Sequence, residues 1–432
     1  MPEWLQDLNI VDGAVFWGSC ALSVIAFGYL LIRRLSPRWL LTASLAMLVG
    51  IGLGVGTVWL VNVANLFSAP LDETTLLWTA AAFAGICLAV ANLWRSRWWR
   101  KTIAAVSIVL FLITATFGIN AGFGLNPTLG SLFGYNSAHH IDVHKPTSSP
   151  TADPSRPLWQ TWRPPADMPK TGKVGTVVIP PTQSHFVSRP AGIYLPPAAQ
   201  VKDPPPLPLV IMMMGYPGAP DPQYVAAVLD PMAAAHDGLA PIVVVADQIG
   251  PSGNDPLCLD TEKFGNAETF ITKDVVDWAD SNLKTLHGRQ YRTIAGYSNG
   301  GECAAYFAAK YPKAWGNIGV LSGDEYPGVE DAQATLTDIF GGNQAAYDAV
   351  KPVNIFASNA GKFGDTVGVF TVGSLDAAFM PGVKRDAEAA RAAGVDVTYY
   401  EVPGGEHVAL SVNGGIQKMF DILYPRLGLS KG

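Results

Sequence analysis

Charge is scarce in this chain. Only 15% of its 432 residues are Asp, Glu, Lys or Arg, against 49% hydrophobic residues. That balance is too apolar for one ordinary soluble domain, and the length suffices for two. The scarcity is greatest at the front: the stretches Ala14 to Ile32, Trp39 to Phe67, Leu76 to Trp94 and Thr102 to roughly Gly124 contain no Asp, Glu, Lys, Arg or His. Each is about 19 residues or longer, enough to cross a bilayer. Ion and proton pathways usually place ionisable groups at membrane depth, so their absence argues against a transporter. Basic residues are also missing from the first dozen positions, which hold Glu3, Asp7 and Asp12. A cleavable signal peptide needs a basic start, so the first span is expected to be retained. Cysteine is scarce too: of four, Cys20 and Cys87 fall within spans, and only Cys258 and Cys303 lie outside them. In an oxidising compartment those two are expected to form a disulfide.

The charges that remain define sides. Arg33, Arg34 and Arg38 separate the first two spans, and Arg95, Arg97, Arg100 and Lys101 separate the last two. By the positive-inside rule both loops are cytoplasmic, which puts the termini, the Asp72-Glu73 loop and everything after the fourth span outside. Gly50, Gly52, Gly54 and Gly56 give small-xxx-small spacings, expected to serve packing within the four-helix bundle. The expected organisation is a four-span transmembrane domain over 1–124, a Pro/Ser-rich extracytoplasmic linker over 125–165 and a globular domain over 166–432. His139, His140 and His144 fall in the linker with no cysteine or carboxylate pair nearby, so no metal site is expected there.

The outer region opens with two short runs, Lys173 to Pro180 and Ala191 to Leu195, that suggest an antiparallel pair. Apolar runs follow at Leu207 to Met214, Pro241 to Ala246, Tyr291 to Ala295, Asn317 to Leu321, Val367 to Val372 and Val397 to Val402, with helical patterns between them, one from about Ala267 to Leu286. Such alternation predicts a mostly parallel, doubly wound α/β sheet covered on both faces, with functional groups at the carboxyl ends of its strands.

Ser298 lies in Gly296-Tyr297-Ser298-Asn299-Gly300, between the strand ending at Ala295 and the helix-prone run Glu302 to Ala309. Strand, Gly-x-Ser-x-Gly and helix in that order make a nucleophile elbow, and the fold class expected is the α/β-hydrolase fold, preceded by the transmembrane region. A serine hydroxyl needs a base, and His407, just past the last predicted strand, is the only histidine after Ser298. Asp376 follows the strand ending at Val372 and fits best as the acid; Asp324 and Glu325, one strand earlier, are reserves, and Asp365 is a weaker candidate. The oxyanion hole is expected from the backbone N–H of Asn299 and of Tyr216, with Gly215 as second choice and Pro217 excluded for want of an N–H.

From about Lys173 to Gly432 the chain resembles the esterase branch of α/β-hydrolases that includes esterase D, enterochelin esterases and the mycobacterial mycolyltransferases. The resemblance rests on Gly296-Tyr297-Ser298-Asn299-Gly300-Gly301, on Gly405-Glu406-His407 and on Asp255-Pro256-Leu257-Cys258-Leu259-Asp260. The last segment, with Asn266-Ala267-Glu268-Thr269-Phe270, also resembles actinobacterial membrane-anchored esterases thought to deacylate aminoacylated lipids. It implies a serine esterase acting on carboxylic esters, with acyl transfer by the same residues as the first alternative and a non-catalytic binding module as the second. Asp247, Asp255, Asp260, Asp324 and Glu325 form a candidate substrate rim that would favour a cationic acyl group such as an aminoacyl ester. Tethering to the bilayer points to lipid-linked or cell-envelope esters. No cofactor, metal or nucleic-acid partner is expected, and the oligomeric state is left open.

Overall fold

The computed structural model describes residues 2–33, 36–64, 71–133, 139–143, 156–251 and 255–431. Arg34 and His144 lie outside the described residues. The chain divides into two compact units, 1–137 and 138–432.

The first unit is built on four long helices: α1 (Ala14–Leu31), α2 (Pro37–Val63), α3 (Glu73–Leu93) and α4 (Trp98–Phe123). All four are long and apolar enough to cross a membrane. Ser36 caps α2 and Asp72 caps α3 through side-chain bonds to Trp39 N–H and Thr75 N–H, so each helix starts where the sequence supplies an acceptor. Gly50 and Gly54 let α2 lie against α3: a β-carbon on Gly50 would stand 2.3 Å from Phe83 O, and one on Gly54 2.7 Å from Ala80 Cα. Gly52 and Gly56 face open space. Leu41, Leu48, Trp59, Leu60, Val106 and Val109 remain exposed, a surface suited to hydrocarbon and not to water.

Polar contacts fasten one end of this bundle. Arg100 donates from Nε to Asn92 Oδ1 (2.7 Å) and from Nη2 to the carbonyls of Tyr29 (2.9 Å) and Leu30 (2.8 Å), satisfying the last turn of α1. Arg33 donates to Arg95 O at 2.7 Å. The two basic loops therefore meet at the same end. At the other end Ile10 N–H bonds Pro127 O and Leu129 N–H bonds Leu8 O, bringing the N-terminus to the exit of α4.

The second unit holds an eight-stranded sheet. Its strands are β1 (Lys173–Val177), β2 (Ala191–Leu195), β3 (Leu209–Met213), β4 (Ile242–Ala246), β5 (Arg292–Tyr297), β6 (Asn317–Leu321), β7 (Val367–Gly373) and β8 (Asp396–Val402). Their order is β1-β2-β4-β3-β5-β6-β7-β8, and only β2 runs against the rest. Strands β3, β4 and β6 are buried at every position, which is why they read as unbroken apolar runs without alternation. Helices α5 (Gln223–Ala235) and α9 (Ala409–Arg426) pack together, whereas α6 (Asn299–Lys310) and α8 (Met380–Ala393) each pack on α7 (Pro352–Ser358), so the sheet is covered by two separate groups. These are the features of the α/β-hydrolase fold expected from the sequence.

Residues His139–Ile141, expected in the linker, run along β1: Thr176 N–H bonds His139 O (2.9 Å) and Ile141 N–H bonds Thr176 O (3.0 Å), protecting an edge strand. The predicted helix from Ala267 ends at Asn282 and contains a π-helical stretch, Phe270–Val275. A two-residue hairpin, Asp260–Thr261 with Gly265–Asn266, precedes it.

Candidate active site

Ser298 stands between β5 and α6 with φ 56° and ψ −125°, a region disfavoured for a residue with a side chain. The neighbours hold it there. Its N–H bonds Leu321 O of β6 (3.0 Å), and its carbonyl accepts from Gly301 N–H (2.8 Å) and Glu302 N–H (3.1 Å). The glycines around it answer close approach: a β-carbon on Gly296 would stand 2.0 Å from Gly300 O, and one on Gly300 2.3 Å from Met213 O. The serine side chain makes no capping bond to α6, which leaves Oγ free for another partner.

That partner is His407, whose Nε2 lies 2.9 Å from Ser298 Oγ. Its Nδ1 lies 3.0 Å from Asp376 Oδ2, and the other oxygen of Asp376 accepts from Phe379 N–H at 3.3 Å. The turns after β7 and β8, which carry Asp376 and His407, are bonded to each other: Leu375 N–H reaches Gly405 O (2.8 Å), Gly404 N–H reaches Ser374 Oγ (2.8 Å), and Ser374 N–H reaches Val402 O (2.9 Å). The imidazole is also held by aromatic rings. Phe379 stacks on it at 3.8 Å between centroids and 14° between planes, Tyr297 at 4.9 Å and 24°. Such an arrangement can withdraw the serine proton and stabilise the imidazolium that results.

Two of the other acid candidates are engaged elsewhere. Glu325 forms a two-pronged ion pair with Arg385, and Asp365 accepts from Arg426 at 2.9 Å. Asp324 is buried beside Ser298, where its N–H bonds Ser298 O at 3.3 Å; the carboxylate on the His407 ring is that of Asp376. Of the two segments expected to form an oxyanion hole, Asn299 begins α6 immediately after Ser298. Gly215 lies against Ser298, since a β-carbon there would stand 3.1 Å from Ser298 Cβ. Tyr216 follows with an exposed ring and a cis bond to Pro217.

The candidate rim divides. Asp247 is buried and tied to Arg189 through its N–H (2.5 Å), Nε (3.1 Å) and Nη2 (2.7 Å), so it anchors the loop after β4 instead of facing substrate. Asp260 caps the next helix by accepting from Thr269 N–H (2.9 Å) and Oγ1 (2.6 Å). Asp255 and Asp324 do converge near Ser298. Burial pushes the Asp255 carboxyl up, against hydrogen bonds from Leu257 N–H and the Asn299 amide. Asp324 goes well above the ordinary range, chiefly from burial and further from the charges of Glu330, Asp255 and Asp376.

Behind them lies Glu302 in the first turn of α6, fully buried, with neither carboxyl oxygen hydrogen-bonded among the described residues. Burial, and after it the nearby charges of Asp255, Asp324, Glu330 and Asp386, push its carboxyl well above the usual carboxylate range. Sequence reasoning missed Glu302, Phe379 and Tyr297. The only signal for Glu302 is its place in an otherwise alanine-rich buried helix. Cys258 and Cys303 form the expected disulfide, with 5.5 Å between α-carbons, joining the Asp255 segment to α6.

Residues 187–372 match a protein family described as "Putative esterase". Over 427 residues the chain is 27% identical to an uncharacterized protein of Corynebacterium glutamicum, with 94% of each chain covered, so that likeness extends through the apolar front as well. Among solved structures, a ferulic acid esterase is 16% identical, covering 60% of this chain and 99% of that one with a TM-score of 0.49. The S-formylglutathione hydrolase of Agrobacterium tumefaciens is 17% identical over 60% and 98%, TM-score 0.49. MPT51 of Mycobacterium tuberculosis is 18% identical over 59% and 98%, TM-score 0.46. The matched segment lies within the second unit, whose strand order is that of the α/β-hydrolase fold.

Proposed function

We propose that the protein is a membrane-anchored, extracytoplasmic serine esterase. Ser298 Oγ attacks the ester carbonyl while His407 Nε2 takes its proton, and Asp376 holds the imidazole in the tautomer that can do so. The backbone N–H groups of Asn299 and Tyr216 stabilise the oxyanion. His407 then gives the proton to the departing alcohol, leaving an acyl-enzyme; water, deprotonated by His407, attacks it and releases the acid. The observation that carries this reading is the unbroken line from Ser298 Oγ through both ring nitrogens of His407 to Asp376, 2.9 and 3.0 Å.

Four spanning helices serve as the anchor, with 1–124 in the membrane, 125–165 as linker and 166–432 as the catalytic domain. The meeting of Arg33, Arg95 and Arg100 at one end of the bundle supports a cytoplasmic location for that end. The substrate is a lipid-linked or envelope ester, and its acyl group is cationic, as in an aminoacyl ester. Asp255 and Asp324 support this choice, because neither is paired with a lysine or arginine among the described residues. The test uses the full-length protein in liposomes, supplied with an aminoacyl ester and a fatty acyl ester of the same lipid alcohol. The expected result is faster release of the amino acid, abolished in Ser298→Ala. Adding a competing acceptor alcohol separates hydrolysis from transfer by product ratio. Equal inertness of wild type and Ser298→Ala toward both esters overturns the proposal in favour of a binding module.

A further inference from the structure

Gln248 is a buried, uncharged side chain in the loop after β4, only 2% exposed, and the reaction scheme above gives it no role. Its Nε2 donates two hydrogen bonds, to Met214 O at 2.6 Å and to Asn299 Oδ1 at 3.0 Å. Asn299 Nδ2 in turn donates to Asp255 Oδ2 at 3.0 Å, and Asp255 Oδ1 accepts from Leu257 N–H at 2.8 Å. The direction of every bond follows from the first. A backbone carbonyl can only accept, so Gln248 must present its NH₂ group; Asn299 must then present its oxygen to Gln248 and its NH₂ to the carboxylate. The chain of donors has one polarity and no alternative orientation.

Its two ends are the two walls of the expected oxyanion site. Met214 C=O and Gly215 N–H belong to one planar peptide, so fixing the oxygen fixes where that N–H points and where the following residue, Tyr216, begins. Gly215 packs directly against Ser298. The second wall is Asn299, whose backbone N–H follows the nucleophile and whose side chain is gripped on both polar atoms. The disulfide closes the arrangement from behind, since Cys258 lies three residues after Asp255 and Cys303 one helical turn after Asn299.

We propose that Gln248 is the positioning residue of the oxyanion site: it ties the loop after β3 to the start of α6 and sets the separation of the two N–H donors without touching substrate. The proposal rests on the serine-esterase reading. Preorganised donors lose their value when their separation relaxes, because they must fit an oxygen that exists only in the transition state.

The test compares full-length wild type, Ser298→Ala, Gln248→Ala, Asn299→Ala and the Gln248→Ala/Asn299→Ala double variant in detergent micelles. The probes are a fluorophosphonate and a p-nitrophenyl ester. Gln248→Ala should lower kcat and the maximal labelling rate by about 10- to 100-fold while KM stays within about threefold, the pattern of a loss felt in the transition state alone. Because Gln248 and Asn299 act as one clamp, the double variant should fall no further than the worse single variant. An unchanged kcat overturns the proposal. So does a fall in kcat matched by a rise in KM, or a double variant whose losses multiply. Gln248→Met fills the same volume without donors and takes the place of Gln248→Ala if that variant does not fold; failure of both to fold makes Gln248 a structural residue and also overturns the proposal. Wild-type labelling that persists in Ser298→Ala condemns the nucleophile assignment instead, whereas labelling lost in Ser298→Ala but intact in Gln248→Ala condemns only the clamp.

Discussion

Two walls face Ser298, and they are finished differently. On one side His407 and Asp376 satisfy each other, the imidazole is stacked between two aromatic rings, and the turns that carry them are bonded together. On the other side Asp255, Glu302 and Asp324 crowd together with raised proton affinities and no cationic partner among the described residues. The first wall is complete without a ligand. The second holds its protons more tightly than ordinary carboxyls do, and its acids would ionise more readily beside a bound cation. The comparison separates a hydrogen-bonded line of three side chains from a group of buried acids that has no cationic partner among the described residues.

Changes to the first wall should cost rate. Asp376→Asn leaves the geometry in place but favours the wrong imidazole tautomer, and should reduce kcat by about 10³- to 10⁴-fold in an ester-hydrolysis assay. Phe379→Leu removes a ring from the imidazole face and should cost about 2- to 30-fold in kcat, the worth of a cation–π contact of about 0.5 to 2 kcal/mol. A loss of more than a thousandfold would mean that Phe379 holds the Asp376 turn itself.

Changes to the second wall should alter choice and stability more than rate. Asp324→Asn should reduce the preference for an aminoacyl over an uncharged acyl ester by about tenfold, the equivalent of about 1.4 kcal/mol, read as a ratio of kcat/KM values. An unchanged ratio would remove Asp324 from recognition. Glu302 bears on folding. Its native proton affinity is raised while the unfolded chain titrates near the ordinary carboxylate value of about 4.3, so unfolding releases a proton at any pH between that value and the native one. Stability is therefore fully present below that value and falls as pH rises toward the native one, by up to about 1.4 kcal/mol per pH unit from this group. Glu302→Gln should flatten that slope and raise Tm at pH 8 more than at pH 5 in thermal unfolding; an identical shift at both would show that Glu302 carries no such linkage.

Much of the first wall was readable in the sequence and little of the second. The elbow announces itself because three glycines and a serine fall within six consecutive positions, and Asp376 and His407 follow because they lie in the turns after strands whose apolar runs are unmistakable. The eight strands were legible for the same reason, while the two-residue hairpin at Asp260 is too short to carry a period. Charge alone misled about the rim. Asp247 looks like Asp255 in the sequence, yet Arg189, 58 positions away, claims it. Nothing local distinguishes a carboxylate that meets an arginine from one that meets Asn299. The aromatic sandwich around His407 was equally hidden, since Tyr297 ends β5 and Phe379 precedes α8, and the two meet only after the sheet forms.

The most direct test of the central claim is fluorophosphonate labelling of the full-length protein in membranes, with the modified peptide identified by mass spectrometry. The account predicts one adduct, on Ser298, absent in Ser298→Ala and strongly slowed in His407→Ala. An adduct that persists unchanged in Ser298→Ala, or one mapped to another residue, would contradict it.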